Sequence, residues 1–460
     1  MKQKDDDKTL QAVREIAEML AARGGRALLV GGCVRDTLLG QEGKDYDIEV
    51  HGLSVDDIRS VLETRFPLDL VGASFGVLKV HHYDIDIALP RVENKTGAGH
   101  RGFMIETVPD LNYAEAAARR DFTINAIMMD PLTQEIIDPW HGQEDMKAGI
   151  LRHISEHFGE DPLRVLRCMQ FAARFEFAVA PETLTLCAEL SQDELPKERL
   201  ATEWEKLLLK GAKPSLGLKF LRDCGWIRYY PELEALIGCE QNPAWHPEGD
   251  VWNHTLGVVD GAATLRKGNE TDDLILMVAA LCHDFGKPAT TCRDEHGVIR
   301  SLEHDTYGVK LAAAFMERIW NRNDLRETVL PLVETHMKPG DYVRVKVSDK
   351  AYRHLALKVG RLDLLADLAT ADILGIATEP ELKARRLSSM QQFRERAATL
   401  AVMTEKPKPL VQGRHLIARG MKPGPAMSPV LEACFEAQLD GVFSDLEGGL
   451  RYLDEMFFKA

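Results

Sequence analysis

Two aspartates, Asp45 and Asp47, are spaced as a cation site requires. They flank a tyrosine at the start of the stretch YDIEV, whose apolar pattern predicts a strand over 46–50, and residues two apart on a strand point to the same face. Neighbouring carboxylates repel each other unless a cation lies between them, and Mg²⁺ is commonly held by one or two carboxylates together with substrate phosphates. The glycine pair at 31–32 lies at the predicted start of a helix, where backbone amides favour an anion such as a triphosphate.

A second set of candidate residues, His254, His283, Asp284 and Asp372, combines imidazole and carboxylate groups. The adjacent His-Asp pair ends the apolar stretch LILMVAALC, which predicts a buried helix. Burial of an unpaired carboxylate beside an imidazole is costly unless a cation compensates both groups. Nitrogen and oxygen ligands together suit Mn²⁺, Ni²⁺, Fe²⁺ or Zn²⁺. A single histidine is more often structural, but the ordered set predicts a divalent metal site.

A third motif places Asp161, Arg164 and Arg167 at three-residue steps, which predicts one polar face of a helix. One acceptor and two guanidinium forks on a shared face can hydrogen-bond the edge of a nucleic-acid base. The same spacing allows an ordinary ion pair that stabilises the helix, and from these residues alone the ion pair is the simpler interpretation. In the same way, two aspartates on an exposed strand need not bind a cation.

Length and composition limit the kind of protein that can position these residues. At 460 residues the chain is long enough for three or four compact units. Hydrophobic residues make up 45% and charged residues 28%, which are globular values and exclude a disordered, collagenous or membrane-spanning chain. The net charge of −15 argues against nucleic-acid binding over the whole surface, although it is compatible with a local basic track.

The cysteines and the N-terminal stretch indicate the compartment. The 8 cysteines are scattered without a CxxC pair, so neither a thiolate zinc site nor a disulfide framework is predicted. The stretch MKQKDDDKTL is charged and lacks the apolar core of a signal peptide, and the apolar runs are too short to span a bilayer. We therefore expect a soluble, cytoplasmic protein that does not bind membranes.

The periodicity of the apolar residues divides the chain into a mixed α/β part and a helical part. The first 150 residues predict a helix over 8–23 and strands within 27–30, 46–50, 77–89 and 135–138. From about residue 157, apolar residues recur at three- and four-residue steps, which predicts helices throughout. Proline, glycine and charge interrupt this pattern in predicted loops at 191–197, 238–250, 286–302, 338–348 and 404–425.

Four motifs follow one another along the chain: GGCVRD with DYD at 31–47, ARRDFTINAI at 118–127, IIDPWHGQED at 136–145 and FGEDPLRVLR at 158–167. Together they resemble the class II tRNA nucleotidyltransferases, a branch of the polymerase-beta-like nucleotidyltransferases that includes CCA-adding enzymes and bacterial poly(A) polymerases. The resemblance implies a mixed sheet in the head, Mg²⁺ at catalytic Asp45 and Asp47, and selection of CTP and then ATP without a nucleic-acid template. The nucleotide-binding residues that it implies are Gly32, Arg35, Arg120, Asp161, Arg164 and Arg167.

Three features bear on the specificity that this resemblance implies. The family usually has a further arginine where this chain has Gln170, and because glutamine carries no charge we expect weaker nucleotide binding or an altered specificity. The segment 91–110 is predicted to be a flexible, basic-leaning loop, and it corresponds to the family's loop that helps to switch from C to A addition. Its presence favours full CCA addition. Asp84 or Asp86 could supply a third carboxylate, or pair with a neighbouring cationic side chain.

The histidine–aspartate set resembles the ligands of the HD phosphohydrolase superfamily. His304 and His336 occupy places where some members of that superfamily add ligands for a second metal. The resemblance implies phosphoester hydrolysis by a metal-activated water, with Lys287 near enough to stabilise the charge of the phosphate. The activities that it implies are those of a phosphatase, 2′-nucleotidase or 2′,3′-cyclic phosphodiesterase.

These interpretations combine into an α+β multidomain protein that adds or repairs the 3′-terminal CCA of tRNA with CTP and ATP. Its predicted parts are a nucleotidyltransferase head (1–150), an all-α neck and body (151–240), an α-helical HD domain (241–380) and a helical tail (381–460). Basic residues concentrated between 164 and 222 would hold the RNA. A poly(A) polymerase, a partial CC- or A-adding enzyme, a phosphohydrolase that works mainly through the HD site, and an RNA-binding protein with a degenerate head are the alternatives. Either a monomer or a homodimer is compatible with the sequence.

Overall fold

The computed structural model describes residues 2–41, 45–71, 77–95, 103–193 and 195–458. The chain forms two compact units, one comprising Met1–Glu203 with Lys219–Trp226 and the other Trp204–Leu218 with Ile227–Ala460. Sheet and helices are combined in the first unit, whereas the second is almost entirely helical. The α+β class expected from the sequence is thereby confirmed. None of the described helices combines the length and the apolar character needed to cross a membrane.

The first unit is built on a seven-stranded mixed sheet. Its strand order is β3-β4-β5-β2-β1-β8-β9, in which β2 and β5 are parallel and the other neighbours are antiparallel. The strands are β1 (Arg26–Val30), β2 (Tyr46–His51), β3 (Leu68–Val71), β4 (Val77–Val80), β5 (Ile85–Ala88), β8 (Met128–Met129) and β9 (Ile136–Ile137), with β6 (Arg91–Lys95) and β7 (Phe103–Thr107) in a separate hairpin and β10 (Ile150–Leu151) paired with β11 (Ala178–Val179).

The helices that accompany this sheet bury the apolar positions that their sequence pattern predicts. In the first helix, Val13, Ile16 and Leu20 are fully buried at three- and four-residue steps, in the same core cluster as Leu29 and Ile48 of the sheet. The helices up to the end of this region are α1 (Lys2–Ala21), α2 (Gly32–Leu38), α3 (Val55–Leu62), α4 (Tyr113–Ala117), α5 (Gly142–Ala148), α6 (Leu163–Phe175), α7 (Pro181–Glu189), α8 (Lys197–Lys210) and α9 (Pro214–Asp223), with 3₁₀ turns at Thr123–Asn125, Glu156–Glu160 and Trp226–Tyr229.

The second unit packs its helices around α12, in which every residue from Asp273 to Cys282 is buried. The remaining elements are α10 (Pro231–Glu234), α11 (Val251–Thr264), α12 (Glu270–Cys282), α13 (Lys287–Thr290), β12 (Thr291–Arg293), β13 (Ile299–Ser301), α14 (His304–Ile319), α15 (Asn323–Thr335), α16 (Lys338–Val345), α17 (Asp349–Val359), α18 (Leu362–Gly375), α19 (Pro380–Thr399), α20 (Gly413–Ile417), α21 (Met427–Leu439) and α22 (Leu446–Leu453), followed by a π-helical turn at Asp454–Phe458.

Two glycines allow α11 and α18 to approach each other closely. A Cβ atom on Gly257 would lie 2.7 Å from the carbonyl oxygen of Gly375, and one on Gly375 would lie 2.5 Å from Val258 Cγ2. Neither position can therefore carry a side chain without moving the helices apart. This approach matters for function because His254 lies one turn before Gly257, and Asp372 lies three residues before Gly375.

Three predicted loops contain regular structure instead. Residues 338–348 include α16, because Pro339 occupies the first turn, where its missing N–H costs nothing. Residues 286–302 include α13 and the hairpin of β12 and β13, and residues 404–425 include α20. The segment 91–110 is also not a simple loop, since β6 and β7 pair from Arg91–Thr107 to Lys95–Phe103. The centre of that predicted loop, 96–102, lies outside the described residues.

Candidate active sites

The register of the sheet in the first unit brings carboxylates side by side on two neighbouring strands. Asp47 on β2 pairs with Val30 of β1 on one side and with Asp86 of β5 on the other. Desolvation, together with the charges of Asp86 and Asp45, raises the pKa of Asp47, although Arg120 partly opposes this. Because its surroundings disfavour the ionised form of Asp47, a divalent cation bound beside Asp47 would compensate the negative charge. The register thus places Asp86 next to Asp47, and Asp86 Oδ1 also lies 3.6 Å from Lys79 Nζ, so this aspartate pairs with a cationic side chain.

Gly31 forms the base of this site. Its φ angle of 74° lies in the left-handed region that favours glycine. A Cβ atom here would lie 3.2 Å from Arg120 Nη1 and 3.6 Å from Asp47 Oδ2. The bare backbone at Gly31 thus lies between a cationic and an anionic group, and the adjacent Gly32 begins α2. The predicted glycine turn, Asp47 and Arg120 come together, and Asp45 lies just before β2; both aspartates are exposed.

Arg35 lies in a different environment from the one predicted. It is only 4% exposed, donates from Nη1 to Asn125 Oδ1 at 2.6 Å and from Nη2 to Asp36 Oδ1 at 2.6 Å. Its guanidinium carbon lies 4.7 Å from the ring centre of Phe175. A direct contact between Arg35 and a nucleotide does not fit this arrangement, because the guanidinium group is buried and already bound. Arg35 instead fixes α2 to the segment that contains Asn125.

Buried Asp121 pairs with the partly exposed Arg167 near this segment. Arg167 Nε donates to Asp121 Oδ2 at 2.7 Å, and Asn125 Nδ2 donates to Asp121 Oδ1 at 2.8 Å. Burial alone would raise the pKa of Asp121, but the charge of Arg167 and these hydrogen bonds outweigh it and hold that pKa below its ordinary value. Arg167 is therefore bound to the second sequence motif and is not free at the surface.

Asp161 and Arg164 do not pair with each other. Arg199 Nη2 of α8 donates to Asp161 Oδ2 at 2.7 Å, whereas Arg164 donates to the carbonyl oxygens of His157 at 2.7 Å and Arg119 at 2.6 Å. Sequence reasoning counted Arg199 only as one of many basic residues. Nothing in the local pattern marks it, because Asp161 and Arg199 lie on separate elements that only the fold brings together.

The second unit brings all six predicted metal-binding residues into one cluster around Asp284. Imidazole Nε2 atoms of His283 and His254 lie 3.2 and 3.7 Å from Asp284 Oδ2, and His304 Nε2 lies 3.4 Å from Asp284 Oδ1. Two triads result. One contains His254, His283 and Asp372, and the other contains Asp284, His304 and His336.

The Nδ1 atoms of these histidines are bound to oxygen atoms, so that the Nε2 atoms point inward. His283, His304 and His336 each hold a backbone carbonyl three residues earlier at 2.7–2.8 Å. His254 Nδ1 instead lies 2.8 Å from Glu248 Oε1, which also lies 2.9 Å from His246 Nδ1. Such contacts fix the ring orientation of a metal ligand. Sequence reasoning missed Glu248, although it follows the pair His246-Pro247 in a region dense in polar residues.

Burial and neighbouring charges shift the pKa values of this cluster in opposite directions. Both oxygens of Asp284 are buried without a hydrogen bond, even though the ammonium group of Lys287 is 2.7 Å from Oδ2. Burial and the neighbouring His283 and His304 lower the pKa of His336 to about 4, so this imidazole is neutral at pH 7. Burial opposes protonation of His254, but the hydrogen bonds to Asp372 and Glu248 outweigh it and raise its pKa to about 9. Buried donors of this composition fit divalent ions.

Comparison with known families follows the same division. The chain matches the family described as Poly A polymerase head domain over residues 27–152, the HD domain family over 251–371, and the family described as probable RNA and SrmB-binding site of polymerase A over 176–237. The paired aspartates of β2 and β5 thus belong to a nucleotidyltransferase head, and the histidine–aspartate cluster belongs to an HD domain. Domains of both kinds use divalent metals.

The comparison with individual proteins gives the family. A multifunctional CCA protein of Cupriavidus metallidurans is 39% identical over 318 residues, which is 67% of this chain and 73% of that protein. The chain belongs to the family of CCA-adding tRNA nucleotidyltransferases.

Solved structures share its fold. The Bacillus stearothermophilus CCA-adding enzyme in complex with CTP has a TM-score of 0.65 and 22% identity, over 96% of each chain. The Thermotoga maritima CCA-adding enzyme complexed with tRNA has a TM-score of 0.59 and 19% identity, over 97% of this chain and 95% of that one.

Proposed function

We propose that this protein adds or repairs the 3′-terminal CCA of tRNA, using CTP and ATP without a nucleic-acid template and releasing pyrophosphate. The observation that carries the proposal is the arrangement of Asp47, Asp86, Gly31 and Arg120 at one sheet edge, in a chain whose family performs this reaction. Asp45 and Asp47 are the proposed catalytic carboxylates. The proposed setting is the reducing cytosol, with the protein as a monomer or homodimer.

The reaction is a displacement at phosphorus. The 3′-hydroxyl of the tRNA releases its proton to water, its oxygen forms a bond to the α-phosphorus, the bond from the α-phosphorus to the bridging oxygen of the β-phosphate breaks, and pyrophosphate leaves with the electron pair. Asp45 and Asp47 would hold Mg²⁺, which would neutralise phosphate charge and lower the pKa of the attacking hydroxyl. Arg120 binds the triphosphate from the side of Gly31. Asp161 and Arg164 bind the edge of the base, while Arg35 and Arg167 hold the elements that carry these groups.

The cluster around Asp284 supports a second activity, hydrolysis of phosphoesters at the HD domain. His254, His283 and Asp372 would hold one divalent ion and His304 with His336 another, with Asp284 shared between them; Mn²⁺, Ni²⁺, Fe²⁺ and Zn²⁺ suit this donor set. A bound ion supplies an activated water and polarises the phosphate. Lys287, whose ammonium group lies 2.7 Å from Asp284 Oδ2 and donates to Gln241 Oε1 at 2.7 Å, is the residue that we propose stabilises phosphate charge. The substrates that we propose are phosphomonoesters and 2′,3′-cyclic phosphates.

The four-part division proposed from the sequence remains our working description of the domains. The matched ranges 27–152, 176–237 and 251–371 support boundaries near 150, 240 and 380. In this division residues 151–240 carry the base-selecting helix α6 and bind RNA, and residues 381–460 form a helical tail.

Transfer of nucleotides to defined tRNA ends tests the main proposal. Purified protein is given tRNA that lacks CCA, ends in C or ends in CC, with CTP or ATP supplied separately. We expect C to be added twice and A once, with no further extension. Unlimited A addition would indicate a poly(A) polymerase, and no incorporation would refute the nucleotidyltransferase.

Two variants separate the two activities within one molecule. Asp45→Ala is expected to abolish transfer and to spare phosphoester hydrolysis, whereas His283→Ala is expected to do the reverse. Arg59→Ala is the control, because the Arg59 side chain on α3 is 43% exposed and pairs, among the described residues, with Glu63 one turn away. A loss of both activities in either variant would argue against two independent sites.

A further inference from the structure

Glu49 is a buried carboxylate on the same strand as Asp47. It lies two residues further along β2, pairs in register with Leu28 and Ala88, and is only 7% exposed. A buried carboxylate is costly unless charged or hydrogen-bonding partners compensate it. The fold must therefore supply such partners for Glu49 at the centre of the sheet.

Its partners lie at the nucleotide site. Glu49 Oε2 accepts a hydrogen bond from Arg120 Nη2 at 3.2 Å, and Glu49 Oε1 lies 3.1 Å from His51 Nε2. Burial would raise the pKa of Glu49, but these hydrogen bonds and the charge of Arg120 outweigh it and lower that pKa below its ordinary value. Glu49 thus stays ionised and binds one end of the Arg120 guanidinium group.

The other end of the guanidinium group faces the reaction site. Arg120 Nη1 is the atom nearest to the Cβ position of Gly31, and Asp47 Oδ2 is the next nearest. A free arginine has many rotamers and is attracted to the nearest carboxylate. Without Glu49, that carboxylate would be Asp47, which the proposed reaction needs for its cation.

We infer that Glu49 is a positioning residue that holds Arg120 at the triphosphate and keeps it away from Asp47. This inference rests on the proposed function for the role of Arg120. Glu49 acts only through Arg120 and touches no substrate. Its removal should weaken nucleotide binding more than it slows the chemical step, because the catalytic carboxylates stay in place.

A double-mutant cycle separates this role from simple stabilisation of the sheet. Glu49→Ala should raise the KM for CTP and for ATP about tenfold, the effect expected for the loss of a charge-assisted hydrogen bond, with a much smaller change in kcat. In an Arg120→Ala background the same substitution should have no further effect on KM. If the effects of the two substitutions are additive, or if Glu49→Ala leaves KM unchanged, the inference is wrong.

Two additional variants keep the experiment decisive. Glu49→Gln retains the shape and one acceptor but loses the charge, so it should give a smaller rise in KM even if Glu49→Ala folds poorly. Glu63→Gln is the matched control, since Glu63 also pairs with an arginine but is exposed immediately after α3. Calorimetric measurement of CTP binding to the same proteins distinguishes failure of the positioning role from failure of the proposed function. If wild-type protein transfers no nucleotide, the proposed function fails, whereas equal CTP affinity in wild type and Glu49→Gln refutes the positioning role.

Discussion

Arg199 binds the carboxylate of Asp161 with both guanidinium nitrogens, at 2.7 Å from Nη2 to Oδ2 and 3.3 Å from Nη1 to Oδ1. Asp161 Oδ1 also accepts the backbone N–H of Leu163 at 3.1 Å, at the start of α6. The proposed base-reading carboxylate is therefore fixed on both oxygens before any nucleotide is bound. Because this acceptor is already oriented, less conformational entropy is lost when the base binds.

Removal of Arg199 should consequently relax nucleotide selection. In Arg199→Ala the Asp161 carboxylate loses a bidentate partner and can rotate, so discrimination against UTP and GTP should fall about tenfold, as for a lost bidentate contact. The measurement is incorporation of each of the four nucleotides into tRNA that lacks CCA. Arg59→Ala should retain wild-type selectivity, and unchanged selectivity in Arg199→Ala would show that Arg199 does not orient Asp161.

We expect Asp121 to make a pH-dependent contribution to the stability of the folded protein. Asp121→Asn leaves Arg167 without its buried partner, and the free energy of unfolding at pH 7 should fall by about 3 kcal/mol. Because the folded-state pKa of Asp121 lies below its ordinary value of 3.8, the stabilisation is complete above that value and is lost as the pH falls through the folded-state pKa. Thermal unfolding at pH 7 and pH 3 should show a large difference between wild type and variant at pH 7 and a smaller one at pH 3. A constant difference would contradict this.

The elements were largely predictable because apolar periodicity is a local signal. The strand that carries Asp47 and the apolar helix that precedes His283 follow directly from their residues. The helix at Lys338–Val345 is an exception, because its proline and glycine favour a loop in the sequence pattern, whereas proline is tolerated in a first helical turn.

The partners of the site residues could not be predicted in the same way. Arg199 and Asp161 are 38 residues apart, and whether Asp161 pairs with Arg164 or with Arg199 depends on how α8 packs. Glu49 was read only as part of a strand, because its contact with Arg120 spans 71 residues. Burial of Arg35 likewise depends on the rings of Phe171 and Phe175, which a linear motif does not locate.

Gln170 offers a test of the departure from the family pattern. It is 2% exposed, and its Oε1 atom is buried without a hydrogen-bond partner. An arginine at this position would bury a charge, so Gln170→Arg should lower the melting temperature and should not tighten CTP binding. Gln170→Met has a similar volume and removes the unpaired acceptor, and it should be at least as stable as wild type. Tighter CTP binding by a stable Gln170→Arg protein would instead support a charge effect at this position.

The metal content of the HD domain is the sharpest test of the second unit. The two oxygens of Asp284 face different triads, since His254 and His283 lie near Oδ2 and His304 near Oδ1. The Nε2 atoms of His304 and His336 lie 3.3 Å apart. We therefore expect two divalent ions per chain after loading with Mn²⁺ and removal of the excess. His336→Ala should keep one ion, because the triad of His254, His283 and Asp372 and the Oδ2 atom of Asp284 are intact, whereas Asp284→Asn should lose both, because each proposed ion uses an oxygen of Asp284.

Elemental analysis of the loaded protein gives this stoichiometry directly, and Asp45→Ala is introduced throughout so that ions bound at the head are not counted. His296→Ala is the control for histidine removal, since His296 is exposed in the turn between β12 and β13. The melting temperature should rise on loading, because an ion that binds only the folded state stabilises it. That rise should be smaller in His336→Ala and absent in Asp284→Asn. A single ion in wild type that persists in His336→Ala would show that the second triad is structural.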